Sequence, residues 1–412
     1  MNAFLWLIVL SSAFIKCIGL NQSLWLDEAI TVNTVQNYTL VNIVRQFAGG
    51  DFHPPLYYLF MKLWTNIFGY SEIALRMPSV IFSLITIYIV YLIVRKIKKN
   101  AALWGMALVA FNPLLIYYAQ EARMYSMVTM LITLAIYAKI RNKKWELYAW
   151  SFLAFATFYG SVFILFALDI FNWGLYGSML ILLPLIIKQY MTSRTLLGEV
   201  VNWDLTLGII NMKNLFLIFV KLVTGRVPFT KWYILPTLLV WLAALKSGLK
   251  NKYFLRLLIL PLILGLLFSI KVPMLQYFRF QYLVIPLSIL MAMVGQLRGL
   301  PLRYILIIFF VLFSFMYVMN SNNYREDWKG ISKNLPETVY MIGSFADPVK
   351  YYRGDIKIID IKLNQPTEKS FIYIPYGEVI HGFDHKELFA KIGYKKIQEK
   401  SFREITYEEW QR

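Results

Sequence analysis

Two adjacent carboxylates, Asp27 and Glu28, stand in the stretch "SLWLDEAITV" (residues 23–32), directly after an apolar run that begins at Met1. A carboxylate there can take a proton from an attacking hydroxyl if it stays ionised and within reach. Three further constellations could work with this pair. "GGDFHPP" (49–55) offers His53 in a turn that the glycines permit and the prolines stiffen; a lone histidine there either caps the turn or meets a substrate. "YYAQEARMYS" (117–126) puts Glu121 and Arg123 into a short hairpin, where they either close a local ion pair or contact a ligand. "QYFRFQY" (276–282) sets Arg279 among four aromatic residues. An arginine in an aromatic belt can simply anchor a span, but its planar fork also suits a phosphate at headgroup level. A base together with a phosphate-neutralising arginine is what displacement at a carbon bearing a lipid-linked phosphate requires. Neither a nucleotide-binding glycine loop nor the zinc motif HExxH occurs in the chain.

The elements that must hold these groups are apolar. Of 412 residues 58% are hydrophobic and 17% aromatic, with mean hydropathy +0.55, which fits a polytopic membrane protein. The net charge of +19 is unevenly spread: residues 321–412 contribute +1 and residues 1–320 the remaining +18. Basic excess between apolar runs follows the positive-inside rule and gives no reason to invoke nucleic acid. Candidate spans are residues 3–20, 75–95, 101–118, 123–140, 231–247, 253–270, 281–297 and 303–320. The first is read as a retained span, not a cleaved signal. The single cysteine, Cys17, permits no internal disulfide.

Four basic clusters, at 95–100, 139–145, 246–252 and 298–303, are expected on the cytoplasmic side. The loop 21–74 is then outside. Parity makes region 147–190 cross an odd number of times, and its length suggests three short spans, eleven in all. Asp27, Glu28, Asp51, Glu72, Glu121, Glu199 and Asp204 all then fall outside, which places the chemistry on that face. Within the outer loop, residues 28–47 and 53–69 each mix apolar with sparse polar residues, as amphipathic helices along the membrane surface would. After residue 320 the pattern changes to short strand-like runs ("TVYMIGSF", "IKIIDI", "SFIYIPY"), a helix-like "DHKELFAKIG" and a last alternating run. The expected fold is an α-helical polytopic membrane domain (1–320) of about eleven spans, followed by a small α/β domain (321–412) on the outer side.

"LWLDEA", "HPPLYYLFMKLW", "SEIALRMPSV" and "NPLLIYYAQEARMYS", in that order and spacing, resemble the C-type integral-membrane glycosyltransferases. The nearest resemblance is to prokaryotic relatives of the protein O-mannosyltransferases and of the lipid A aminoarabinose transferases. "YREDWKG" (324–330) extends it into the tail. The resemblance implies a polyprenyl-phosphate-linked sugar donor, a hydroxyl acceptor (protein, lipid or glycan) on the outer face, and inversion at the anomeric carbon. It implies Asp27 as general base, with Glu28 positioning the acceptor or holding Asp27. By the same resemblance His53, Tyr57, Tyr118, Glu121, Arg123 and Tyr159 would contact substrate and Arg279 would bind donor phosphate. Many relatives carry a histidine–tyrosine pair in the fifth span; here "ATFYGSV" keeps Tyr159 without the histidine, so no cofactor and no metal are expected. The competing classes are a lipid flippase or transporter, and a non-catalytic membrane scaffold. The flippase fits less well, because the spans hold few ionisable residues apart from Asp169 and show no repeat, and a scaffold would leave Asp27 a mere surface carboxylate.

Overall fold

The computed structural model describes residues 3–202, 207–294 and 302–412, and of residues 194–199 the backbone alone. Asp204, residues 295–297 of one expected span and residues 298–301 of the fourth basic cluster lie outside the described residues, as does the Glu199 side chain.

Among the described residues, four helices are long and apolar enough to cross a membrane: Glu72–Ile97, Trp173–Ser193, Lys252–Ser269 and Leu302–Met319. A bent pair, Lys99–Ala110 and Pro113–Ala119, makes a fifth if it is one broken span. Shorter apolar helices, Ala3–Cys17, Tyr125–Ile140, Tyr159–Leu168 and Tyr277–Ala292, pack among them. The straight span expected at 101–118 is therefore corrected to two helices meeting at 57°. Asn112 is the cause: its side-chain oxygen accepts from the amides of Leu114 and Leu115 and starts a new helix, at whose first position Pro113 has no N–H to lose.

The ambiguous region resolves into three helical runs. Lys144–Thr157 leads away from the Lys139 end, and Val162–Leu168 leads back to it, where Lys139 pairs with Asp169 at 2.7 Å. The third run, Trp173–Ser193, leaves again, so that Gln189 meets Tyr159 at 2.7 Å. Two of the basic clusters come together, Lys98, Lys246 and Lys250 sharing one cleft.

The first loop departs from expectation in two ways. The sequence 28–47 is not one helix: Leu26–Asn37 stops at Tyr38, and Thr39 caps a new segment by accepting from the Asn42 amide. Leu26–Asn37 also meets the C-terminal part, a contact the sequence does not point to. It buries Glu28, Thr31, Val32 and Val35, and its Asn33 donates to Asp347 of the C-terminal part at 2.8 Å. Leu56–Phe68 does keep an amphipathic exterior, with Leu63, Ile67 and Phe68 exposed and Tyr57, Tyr58 and Met61 buried.

The C-terminal residues form a five-stranded sheet in the order β2-β1-β3-β5-β4, from Thr338–Met341 (β1), Lys357–Asp360 (β2), Ser370–Ile374 (β3), Lys395–Phe402 (β4) and Ile405–Gln411 (β5). β1 runs parallel to β2 and β3, while β5 is antiparallel to β3 and β4. The helix Asp347–Tyr352 provides the crossover between β1 and β2. Trp328, Val339, Tyr373, Phe389 and Trp410 make a core separate from that of the helices. At its edge His385 lies between two carboxylates, Nδ1 at 2.7 Å from Glu378 and Nε2 at 2.7 Å from Glu408.

Burial pulls the His385 pKa down, but hydrogen bonds and charge from Glu378 and Glu408 outweigh it and raise the pKa above its ordinary value. The imidazolium therefore adds stability that is complete below about pH 6.5 and is lost as pH rises through the higher folded-state value. Thermal unfolding of the protein in detergent between pH 6 and pH 9 should show this fall in the wild type. In His385→Asn the midpoint should be lower throughout and without that descent.

Candidate active site

The helix Leu26–Asn37 begins just before the two carboxylates, and successive residues on a helix point about 100° apart. That rotation gives them opposite surroundings. Glu28 turns inward and is fully buried. Its Oε1 accepts from Arg76 Nε (2.9 Å) and the Ala122 amide (2.6 Å), and its Oε2 from Arg76 Nη2 (2.6 Å) and the Trp25 amide (3.3 Å). Arg76, itself buried, spends its remaining donors on the carbonyls of Leu20 (2.8 Å), Gln22 (2.6 Å) and Ser23 (2.9 Å). All five guanidinium N–H groups are thereby used.

Asp27 turns outward. Its side chain is 33% exposed, and Arg123 Nη2 reaches Oδ2 at 3.3 Å while Nη1 donates to the Asp27 carbonyl at 3.3 Å. Among the described residues Oδ1 accepts no hydrogen bond. Burial opposes the charge of Arg123, but the Asp27 carboxylate outweighs that, with Tyr58, Tyr125 and Asp51 adding to it, so the guanidinium stays cationic. The Nε of Arg123 and the hydroxyl of Tyr57 are both buried without a partner among the described residues.

The other expected residues surround this point. His53 Nδ1 lies 3.3 Å from Asp51 Oδ1, and Tyr58 donates to Asp51 Oδ2 at 2.9 Å. Gln189 ties that turn to the fifth expected span: its Nε2 donates to the His53 carbonyl (3.0 Å), and its Oε1 accepts from Tyr159 (2.7 Å). Tyr118 packs edge to face on Tyr117 and against Tyr125, which contacts Phe278 beside Arg279. Among the described residues Arg279 donates only to carbonyls, those of Leu207 (2.8 Å) and Pro273 (3.3 Å). Among the described residues, too, no three His, Cys, Asp or Glu side chains come together as metal ligands.

The local Glu121–Arg123 pair does not form. Arg123 goes to Asp27, whereas Glu121 accepts from the Tyr117 hydroxyl and lies 3.5 Å from Arg325 Nε. Burial raises the Glu121 pKa despite the opposing charge of Arg325, and among the described residues its Oε2 has no partner. Arg325 and Arg226 both donate to Tyr117, at 2.7 and 3.0 Å, and Arg325 lies 3.8 Å above the Trp25 ring. Sequence reasoning missed Arg76, Arg226 and Arg325. Arg76 was detectable as a lone charge inside an apolar run, which calls for a named partner.

Because Glu28 and Arg76 are both desolvated, removing either leaves the other's charge buried and unpaired. Arg76→Leu or Glu28→Gln should lower stability by roughly 3–5 kcal/mol, read as a clear fall in the thermal midpoint of the purified protein. Asp27→Asn should move it by less than about 1 kcal/mol.

Residues 52–171 match the family model described as dolichyl-phosphate-mannose-protein mannosyltransferase. No curated protein matches the chain in sequence. Among solved structures, ArnT from Cupriavidus metallidurans in the apo state aligns with a TM-score of 0.57 at 10% identity, over 98% of this chain and 97% of that one. ArnT from Cupriavidus metallidurans bound to undecaprenyl phosphate aligns with a TM-score of 0.44 at 12% identity, over 99% and 98%. The helical bundle with its small C-terminal sheet is thus an ArnT-like fold, and the chain is similar, in sequence over 52–171 and in fold over nearly its whole length, to the C-type membrane glycosyltransferases.

Proposed function

We propose that this membrane glycosyltransferase moves a sugar from a polyprenyl-phosphate-linked donor to a hydroxyl acceptor, by a single displacement in which Asp27 is the general base. One observation carries the reading: of two adjacent carboxylates, one is locked in a buried ion pair and the other is half-open, steadied by Arg123, with one oxygen free among the described residues. In the step, the acceptor oxygen forms its bond to the anomeric carbon as the bond to the phosphate oxygen breaks. Asp27 takes the hydroxyl proton, and the phosphate departs with its charge met by Arg279 and, nearer the reacting carbon, by Arg123. Attack opposite the leaving phosphate inverts the carbon. Glu28 positions Asp27 through the shared helix turn and touches no substrate. His53, Tyr57, Tyr118 and Tyr159 line the donor and acceptor approaches, Glu121 holds the hairpin that carries Arg123, and no metal takes part. That ArnT has been solved with undecaprenyl phosphate accords with a polyprenyl-lipid donor. The chain crosses the membrane eleven times, with its basic end in the cytoplasm and both Asp27 and the C-terminal domain outside.

A labelled polyprenyl-phosphate hexose, supplied to the full chain in lipid with a panel of hydroxyl acceptors, tests the chemistry. Asp27→Asn should reduce transfer by about 10²–10⁴ while leaving the thermal midpoint in place; undiminished transfer would overturn the base assignment. Label that crosses the bilayer without transfer would instead identify a flippase. For the sidedness, Gln36→Cys in a Cys17→Ser background puts a thiol at an exposed loop position. It should react with an impermeant maleimide in intact cells, and labelling only after lysis reverses the topology.

A further inference from the structure

The end of the bundle farthest from Asp27 carries a second feature that the transfer chemistry does not use. Where Tyr125–Ile140 meets the following turn, a cleft of about 610 Å³ opens between that turn and the turn at 169–173. Tyr125, beside the candidate active site, and Lys139, in the cleft, lie at opposite ends of this helix, about 20 Å apart. Three lysines, Lys139, Lys143 and Lys144, line the cleft against a single acid, Asp169. Lys139 is engaged with Asp169, but Lys143 and Lys144 are exposed and form no ion pair among the described residues. The helix Lys144–Thr157 points its N-terminus into the same place with no side chain capping it, so its first amides and the positive end of its dipole add to the field.

The flank of the cleft is equally unusual for a water-facing surface. Phe171 and Trp173 line it and are 85% and 80% exposed. From Trp173 rises the helix Trp173–Ser193, of whose apolar window only 17% is buried, with Leu180, Ile181 and Ile187 bare along it. A cationic cleft at interfacial depth, edged by aromatic rings and continued by a bare apolar helix, complements a molecule with an anionic head and a hydrocarbon tail. Free phosphate would satisfy the lysines and leave the aromatic edge and the helix unused. We propose that this cleft binds the phosphate headgroup of an anionic phospholipid, in the leaflet opposite the candidate active site, with the acyl chains along Trp173–Ser193. A second basic cleft, with Lys98, Lys246 and Lys250, has no aromatic residue in its lining and serves as an internal comparison.

Native mass spectrometry of the full chain in mild detergent, titrated with phosphatidylglycerol or phosphatidylcholine, reads the binding directly. Phosphatidylglycerol should be retained in preference to phosphatidylcholine. Lys143→Gln with Lys144→Gln should weaken its retention roughly tenfold or more, and Lys246→Gln with Lys250→Gln should leave it unchanged. Trp173→Ala, at an exposed position, is the second variant should the lysine pair disturb folding, and it should weaken phosphatidylglycerol retention as well. Equal losses from the two lysine pairs would reduce the effect to general charge attraction and overturn the site. Displacement of the lipid by millimolar inorganic phosphate, or equal retention of phosphatidylcholine, would overturn it too.

Discussion

A single buried ion pair, Glu28 with Arg76, sets the geometry of everything around the candidate site. Two charges withdrawn from water are tolerated only when nearly every lone pair and proton finds a partner. Here the partners come from four places in the chain: the turn at Leu20–Ser23, the start of the loop helix at Trp25, the long helix through Arg76, and the hairpin amide of Ala122. Desolvation thus acts as a constraint on assembly, because the pair is satisfied only where all four meet. Its consequence for chemistry is indirect. Once Glu28 is fixed inward, the helix period forces Asp27 outward and toward Arg123, the next residue but one after Glu121 on the same hairpin.

The C-terminal domain is tied into this arrangement and is not an appendage. The Lys329 amide donates to Ser23 Oγ at 3.0 Å, and Tyr352 accepts from the Leu24 amide at 2.8 Å, so the domain braces the very turn whose carbonyls serve Arg76. Lys329 also pairs with Glu72 at 2.8 Å, at the start of the long helix. On the far side of the hairpin, Arg325 approaches the buried Glu121 and stacks on Trp25, while Arg403 holds the Arg325 carbonyl at 2.6 Å. A hairpin carrying a buried carboxylate therefore depends for its charge balance on residues some 200 positions later in the chain. Such a network couples the domain's placement to the position of Arg123.

What the sequence made legible follows from how local the cause was. The strands and the helix of the tail obey period and turn signals, and "TVYMIGSF", "IKIIDI" and "SFIYIPY" became β1, β2 and β3. The three runs between 144 and 193 were deducible from charge parity and length. The break at Asn112–Pro113 was also local, an Asn-Pro step with a capping side chain, but the apolar run around it masked the signal. The helix stop at Tyr38 was masked likewise, since Thr39 caps within a continuous amphipathic pattern. By contrast, the partner of Arg123 was not legible at all. Glu121 lies two residues away and Asp27 lies 96 away, and only the fold decides that the distant carboxylate is the nearer one.

The same reasoning explains why the open carboxylate is held loosely. Both contacts from Arg123 to Asp27 are 3.3 Å long, whereas those from Arg76 to Glu28 are 2.6 and 2.9 Å. A tight bidentate pair would occupy both oxygens of Asp27. A single long contact orients the side chain and leaves Oδ1 for a hydroxyl. Among the described residues Arg123 retains a buried Nε without a partner, and it lies close enough to Asp51 to feel its charge. Among the described residues its donors are therefore not all consumed by Asp27, and under the proposed displacement the guanidinium would serve both the carboxylate and the departing phosphate. In the proposed displacement, drawing the phosphate toward Arg123 would weaken its hold on Asp27 as the carboxylate takes up the hydroxyl proton, so that the two events would favour one another.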